Sequence, residues 1–168
     1  MIYKIRVYLE TNNGNVFRDI EIQGNAVLED LHNVIMQSFD FEGTELAAFY
    51  LTDEELNQGI EIPLFNLDDS NPANNMMSDT QIKEVLDENN PKLIYIYDFL
   101  SLWRFLIELM EIAEEENATT YPNVVYAEGI RPESAPDVEF GTDEFDDPFG
   151  DEDTPFDEFQ DYDDNQWY

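Results

Sequence analysis

A run of mostly apolar residues at positions 93–112, LIYIYDFLSLWRFLIELMEI, constrains the fold of this chain more than any other feature. The run opens with β-branched and aromatic residues, breaks near residues 98–101 and resumes from Trp103 with alternating apolar positions. A membrane-spanning helix needs about 20 consecutive apolar residues, and four charged residues interrupt this run. We interpret it as two neighbouring buried strands at the centre of a sheet, with a helix from Leu102 onward as the alternative.

The rest of residues 1–132 shows alternating strand patterns and two helical patterns. Alternation predicts an opening hairpin whose turn contains the pair Asn13-Gly14, which tolerates the positive φ that a tight turn requires. A period near 3.6 then predicts an amphipathic helix that Asn25 could cap. The predicted elements are strands at 2–10 and 16–23, a helix at 27–39, strands at 45–52 and 59–65, and a short helix ending at Leu86.

This order, ββαββαββ once the run at 93–112 is added, predicts an α+β fold. We expect a mixed or antiparallel sheet with one main helix and one short helix, because the helices are too few for parallel crossovers. The first part of the order also fits a β-grasp arrangement. Residues 121–126 are either a final strand or an extended segment that packs on the domain.

Residues 133–168 form a second region of different character, which we call the tail. The tail holds 15 of the 40 acidic residues and no Lys, Arg or His, and it has neither helical nor strand periodicity. This composition predicts a disordered acidic tail that follows a folded domain of residues 1–132.

Aromatic side chains are spaced among the acids of the tail. Such rings can anchor an interface when they are buried in pockets of a partner. The acids beside them would raise the rate at which the tail associates with a basic surface. The sequence therefore predicts that the tail binds a basic protein, and one form of such binding is mimicry of a nucleic acid. A tail that serves solubility alone is the alternative. The predicted partner-binding residues are Phe140, Phe145, Phe149, Phe156, Phe159, Tyr162, Trp167 and Tyr168.

The formal net charge of -33 at pH 7 argues against direct binding of nucleic acid. Binding to duplex DNA neutralises phosphates with Lys and Arg, and the chain has only seven such residues, which are scattered. The expected partner is instead a basic protein or a nucleic-acid-binding assembly.

Few residues offer catalytic or metal chemistry. The chain has no cysteine, and a lone histidine, His32, gives a transition-metal site or a Ser-His-Asp triad little to build on. No glycine-rich phosphate loop is present. Asp98, between apolar segments, is expected to accept backbone N–H bonds at a turn. We therefore predict no catalytic residues, no cofactor and no metal; a carboxylate- or metal-dependent hydrolase is the alternative.

The domain resembles the family named after the third open reading frame of a root-inducing (Ri) plasmid. The resemblance implies a folded α+β domain and no established activity, although some members are described as resolvase-like or repressor-like. A DNA-binding or resolvase-associated role is therefore a weaker alternative. The matching pieces are YKIRVYL, LEDLHNVIMQSF, Ala47-Ala48-Phe49, Tyr97-Asp98-Phe99, Trp103, Tyr121-Pro122 and Glu128-Gly129.

One departure from the family pattern is informative. Many members carry a polar turn of the Gly-Asp-Asp-Trp type after Tyr-Asp-Phe, with a histidine soon after the tryptophan. This chain has Leu100, Leu102 and Trp103 there, so no polar site carries over. If these three residues were exposed together, they would form an apolar contact patch.

The sequence thus predicts a non-catalytic protein-interaction module. The chain opens directly in a strand pattern, MIYKIRVYL, so we expect no secretory signal, no membrane association and a cytoplasmic location. The oligomeric state and the identity of the partner are not predicted.

Overall fold

The computed structural model describes residues 1–12, 14–65 and 75–136 of the 168-residue chain. These residues belong to one unit, Met1–Pro136. The strands are β1 (Ile2–Leu9), β2 (Val16–Gln23), β3 (Ala47–Thr52), β4 (Gln58–Pro63), β5 (Lys92–Tyr97), β6 (Trp103–Ala113) and β7 (Asn123–Glu128). The helices are α1 (Leu28–Ser38) and the short α2 (Ile82–Val85), and a 3-10 turn spans Met77–Asp79.

The first hairpin confirms the alternating pattern of the sequence. β1 and β2 pair antiparallel from Ile2 opposite Gln23 to Leu9 opposite Val16. Gly14, in the connecting turn, has a φ of 70°, a conformation that glycine adopts without a steric penalty. The pairing places successive side chains of both strands on opposite faces of the sheet.

The apolar run at 93–112 forms two neighbouring strands near the centre of the sheet, as predicted. β5 and β6 pair antiparallel from Lys92 opposite Glu108 to Tyr97 opposite Trp103. β6 also pairs antiparallel with β1. The helix considered from Leu102 onward is therefore not formed.

The predicted fold class is wrong. The described residues form a seven-stranded sheet of order β4-β3-β5-β6-β1-β2-β7, and all six neighbouring pairs are antiparallel. This is an antiparallel-sheet fold with two helices, and it is neither the ββαββαββ α+β arrangement with one main helix nor β-grasp-like. Local periodicity identified single elements, whereas the pairing of β1 with β6 and of β2 with β7 depends on contacts between distant parts of the chain.

One face of the sheet, here called the inner face, packs against the helices. Alternate residues of β1, such as Ile5 and Val7, are buried there together with Leu31 and Ile35 of α1. Burial of each such side chain contributes roughly 1.5–3 kcal/mol to folding. The opposite face, here called the outer face, carries the intervening residues of β1, Arg6 and Tyr8.

Helix α1 begins after Val27. The carboxylate of Asp30 accepts a hydrogen bond from the backbone N–H of Val27 at 3.2 Å, which satisfies one of the free donors at the helix start. Asn25, the cap expected from the sequence, precedes the N-cap residue by two positions. Acidic residues in the first turn suit the positive end of the helix dipole.

Candidate functional site on the outer face and edge of the sheet

The three residues of the predicted apolar contact patch are not exposed together. The side chain of Leu100 is 95% exposed and Leu102 is partly buried, but Trp103 is only 6% exposed. The Trp103 ring lies 5.0 Å from that of Phe41, edge to face. Trp103 therefore belongs to the core, and of the three residues only Leu100 is largely exposed. The eight predicted partner-binding aromatics, from Phe140 to Tyr168, lie outside the described residues.

The turn that carries Leu100 is organised by Asp98. The Asp98 carboxylate accepts hydrogen bonds from the backbone N–H groups of Leu100 at 3.1 Å and Ser101 at 3.4 Å. The Leu102 N–H donates to the carbonyl of Asp98 at 2.6 Å. Asp98 thus accepts backbone N–H groups at a turn, as the sequence predicted, and it has a structural role.

The single histidine is buried in the core. His32 Nδ1 lies 2.6 Å from the hydroxyl of Tyr95, with which it shares a hydrogen bond, and both side chains are buried. Burial lowers the pKa of His32 and raises that of Tyr95. Both groups are therefore neutral near pH 7, and the pair satisfies two buried polar atoms in the core.

On the outer face, Arg6 is held by a carboxylate and an aromatic ring. Its guanidinium makes two hydrogen bonds to Asp19, at 2.7 and 3.0 Å, and its Cζ lies 4.4 Å from the ring centroid of Phe17. The hydrogen bond to Asp19 is the largest cause of the raised pKa of Arg6. Arg6 is therefore committed to contacts within the domain.

Two further cations of the outer face are also paired. Lys4 Nζ lies 3.8 Å from carboxylate oxygens of both Glu21 and Glu111. Arg104 pairs with Glu10. Such partly exposed pairs contribute little to stability, but they neutralise the positive charge of this face.

Arg18 is buried on the inner side of β2 and binds backbone carbonyls. It donates to the carbonyl oxygens of Ser38 at 2.8 Å, Phe17 at 2.8 Å and Glu128 at 2.9 Å. Its guanidinium lies 4.5 Å from the ring centroid of Phe39. The positive charge thus faces the C-terminal end of α1, where the helix dipole favours a cation, although burial lowers the pKa of Arg18.

A second arginine binds the same end of α1 from the far end of the described chain. Arg131 donates to the carbonyl oxygens of Phe39 at 3.1 Å and Asp40 at 2.8 Å. Its guanidinium lies 4.5 Å from the Phe41 ring centroid and 5.8 Å from that of Trp103. These contacts fasten the segment after β7 to the helix.

Five of the seven basic side chains of the protein are therefore engaged inside the domain; Lys83 and Lys92 are the other two. The acids outnumber the bases by 40 to 7, so the chain has far more carboxylates than cations to pair with them. A ligand that meets this surface meets mainly negative charge.

An aromatic row crosses the outer face between β1 and β7. The ring centroids of Tyr8 and Phe17 are 5.8 Å apart, and those of Phe17 and Tyr126 are 5.7 Å apart. Tyr126 is 51% exposed, and its hydroxyl donates to the Glu128 carboxylate at 2.9 Å. This hydrogen bond raises the pKa of Tyr126. The row ends at the edge of the sheet beside a carboxylate.

The edge strand β7 exposes apolar side chains beside this row. Val124 is 41% exposed, Val125 is 50% exposed, and Ile130, just beyond the strand, is 88% exposed. Exposed apolar residues grouped at one place on a surface often mark an interaction site. We define the β7 edge as residues 123–130.

Two clefts of the domain are alternative candidate sites. One, of about 370 Å³, lies beside α1 and includes Asp30, Asn33 and Tyr121. The other, of about 420 Å³, includes Asp53 and Glu54.

Asp30 and Asp53, one acid from each cleft, accept hydrogen bonds from residues close to them in the chain. The Asp53 carboxylate accepts hydrogen bonds from Asn57, which lower the pKa of Asp53. Within the described ranges, no group of three or more His, Cys, Asp or Glu side chains is placed to hold a metal. The hydrolase alternative stays a prediction.

The β7 edge and the two arginines at the end of α1 were not predicted as functional or organising features. The sequence predicts a strand or an extended segment at residues 121–126, and the alternating Val124 and Tyr126 are the signal for it. That β7 lies at an edge depends on its pairing with β2, which the local pattern does not contain.

The described residues thus define an antiparallel-sheet domain with helices on its inner face and an excess of carboxylates. The chain belongs to the family described as Plasmid pRiA4b ORF-3-like protein, whose model matches residues 1–167. The predicted resemblance is confirmed, and the match extends past residue 132 through most of the tail.

The comparison with solved structures supports the fold. A crystal structure of a protein of unknown function from Methanosarcina mazei Go1 matches with a TM-score of 0.66 and 18% identity, covering 75% of this chain and 68% of the other. No curated protein matches the chain. Within residues 1–12, 14–65 and 75–136, none of the helices has the length and apolar character to cross a membrane.

Proposed function

We propose that this protein is a non-catalytic, cytoplasmic protein-interaction module that binds a basic protein surface. The observation that carries the proposal is the distribution of charge. Forty acidic residues face seven basic ones, and five of those seven are held in contacts within the domain.

The charge distribution favours a basic protein over a nucleic acid as the partner. Binding to phosphates requires Lys and Arg side chains that are free to approach them, and here Arg6, Arg18 and Arg131 already have partners. A surface rich in carboxylates instead attracts a basic protein and raises the rate of encounter. If the basic surface of the partner normally binds DNA or RNA, this protein would occupy that surface by mimicking the nucleic acid.

The aromatic residues of the tail supply the second part of the proposed contact. Charge alone gives a fast but weak encounter, whereas buried aromatic side chains supply most of the affinity at many interfaces. We infer that rings such as Phe149 and Trp167 enter pockets of the partner while the surrounding acids meet its cations.

The experiment compares three full-length proteins in affinity capture followed by mass spectrometry. The first is the natural chain. The second has the eight tail aromatics replaced by serine, with all acids retained. The third has the tail Asp and Glu replaced by Asn and Gln, with all aromatics retained.

We expect the natural chain to capture basic proteins in a manner that salt weakens, and both variants to capture less. Added duplex DNA or RNA should compete if the partner uses a nucleic-acid site. Capture of the same proteins by all three chains, unaffected by salt, would refute the proposal.

A further inference from the structure

Strand β7 forms one edge of the sheet. Along an antiparallel edge strand, alternate residues direct their N–H and C=O groups away from the neighbouring strand. Among the described residues, no backbone hydrogen bond from another segment reaches β7 apart from its pairing with β2. Within residues 1–12, 14–65 and 75–136, the outward side of β7 is therefore not paired with another strand.

The two edges of the sheet differ in their protection. β4, at the opposite edge, contains Gly59 and ends at Pro63, and proline cannot donate to a strand ladder. β7 has the sequence NVVYAE, with no lysine, glycine or proline. Natural edge strands are often protected by lysine, proline or a β-bulge; β7 contains no lysine or proline, and a bulge at Val125 is the device that it does contain.

The surroundings of β7 are acidic and apolar. Glu128 lies in the strand and accepts a hydrogen bond from Tyr126. Near the other end, the acidic run at 114–116 is joined to the segment before β7, because the Glu116 N–H donates to the Tyr121 hydroxyl at 3.2 Å. A strand that pairs here would have carboxylates at both ends and exposed apolar side chains between them.

We propose that the β7 edge binds an extended segment of a basic partner, in which Lys or Arg alternates with β-branched residues, as an eighth strand of the sheet. This inference rests on the proposed function and locates a second contact on the domain. The ladder of backbone hydrogen bonds supplies affinity, and alternate side chains supply specificity. Basic side chains on the outer face would meet Glu128 and the ring of Tyr126.

The geometry of β7 limits the length of the added strand. The register between β2 and β7 shifts between Asp19 and Ile20, so that Val125 is an extra residue in β7. Such a bulge increases the local twist and interrupts the ladder. The bound segment therefore pairs over a few residues.

Charge also distinguishes this partner from a second copy of the chain. Two copies, each with a formal charge of -33, repel one another. Pairing β7 with itself would also add no cation opposite Glu128. A basic segment removes both difficulties.

The test uses the full-length protein and a synthetic peptide of alternating lysine and valine. Amide hydrogen exchange is followed by NMR for residues 123–128 with and without the peptide. The matched control is the same peptide with N-methylated backbone amides, which keeps its charge but cannot donate backbone hydrogen bonds.

We expect the unmodified peptide to protect alternate amides of β7. The methylated peptide should bind at least about tenfold more weakly, since the loss of two net hydrogen bonds gives roughly that factor. In the Glu128→Gln protein the unmodified peptide should bind more weakly, while in Glu54→Gln, far along the chain, its affinity should be unchanged.

Three results would overturn the inference. One is absence of peptide binding. Another is binding without protection of β7, which would leave the proposed role of the tail intact. The last is protection that appears without peptide and grows with protein concentration, which would show that a second copy occupies the edge. Loss of partner capture in the tail variants tests the proposed function separately.

Discussion

The free energy of unfolding of the domain should depend on pH through His32, which is buried in a pair with Tyr95. His32 is the only histidine of the chain, and burial lowers its pKa in the folded state. Unfolding returns its pKa to about 6.5. Below that pH the unfolded chain binds a proton that the folded chain does not, so the free energy of unfolding falls as the pH falls.

The size of this effect follows from proton linkage. One proton bound only in the unfolded state gives a slope of up to about 1.4 kcal/mol per pH unit. This contribution is complete above about pH 6.5 and is lost as the pH falls towards the lowered pKa of the folded state. The forty carboxylates of the chain also begin to bind protons towards pH 5, so the difference in slope between the natural chain and a variant without the histidine isolates the contribution of His32.

The assay is urea unfolding followed by circular dichroism at several pH values between about 5 and 6.5. The matched variant is His32→Asn, whose side-chain amide can place a polar atom near the position of Nδ1 but does not titrate. We expect the natural chain to lose stability towards pH 5 and the variant to show a much smaller slope. Equal slopes in the two proteins would refute the reasoning.

Three further tests probe the packing, two of them with a matched control substitution. Gly129→Ala should lower the free energy of unfolding by more than about 1 kcal/mol, because φ is 81° and a Cβ would meet the Asn15 carbonyl oxygen. Gly14→Ala is the control, since Gly14 also has a positive φ but open space around it, and it should lower the free energy of unfolding less. Equal losses of stability in urea unfolding would contradict this. Arg131→Lys should speed amide exchange of residues 129–136, since lysine cannot reproduce the two carbonyl contacts and the ring stacking; unchanged exchange would show that the clamp is not needed. Trp103→Ala should lower the free energy of unfolding by about 3–5 kcal/mol, and Leu100→Ala by less than about 0.5 kcal/mol, as measured by thermal or urea unfolding. A reversed order would contradict the placement of Trp103 in the core and of Leu100 at the surface.

The sequence predicted the elements of this fold better than their arrangement. Alternation identified β1 and β2, and the apolar run at 93–112 identified β5 and β6, because burial of one or both strand faces leaves a local pattern. The fold class was wrong because strand order and direction are set by long-range pairings. The β6–β1 pair, for example, joins residues about a hundred positions apart.

The candidate site could be predicted from the sequence only in small part. Arg18 and Arg131 resemble any surface arginine in the sequence, and only the fold brings both to the end of α1. The exposure of Val125 and Tyr126 follows from the edge position of β7. For Trp103 the sequence left exposure with Leu100 and Leu102 or burial as alternatives, and its ring packs in the core.

The central claim is that an acid-rich protein binds a basic partner through both charge and aromatic anchors. The most direct test is the dissociation constant of the full-length chain for a captured partner, measured by calorimetry across a series of salt concentrations. We predict that the affinity falls steeply as the salt concentration rises, and that the variant with serine in place of the eight tail aromatics binds more weakly at every salt concentration. An affinity that is independent of salt and equal in the two proteins would contradict it.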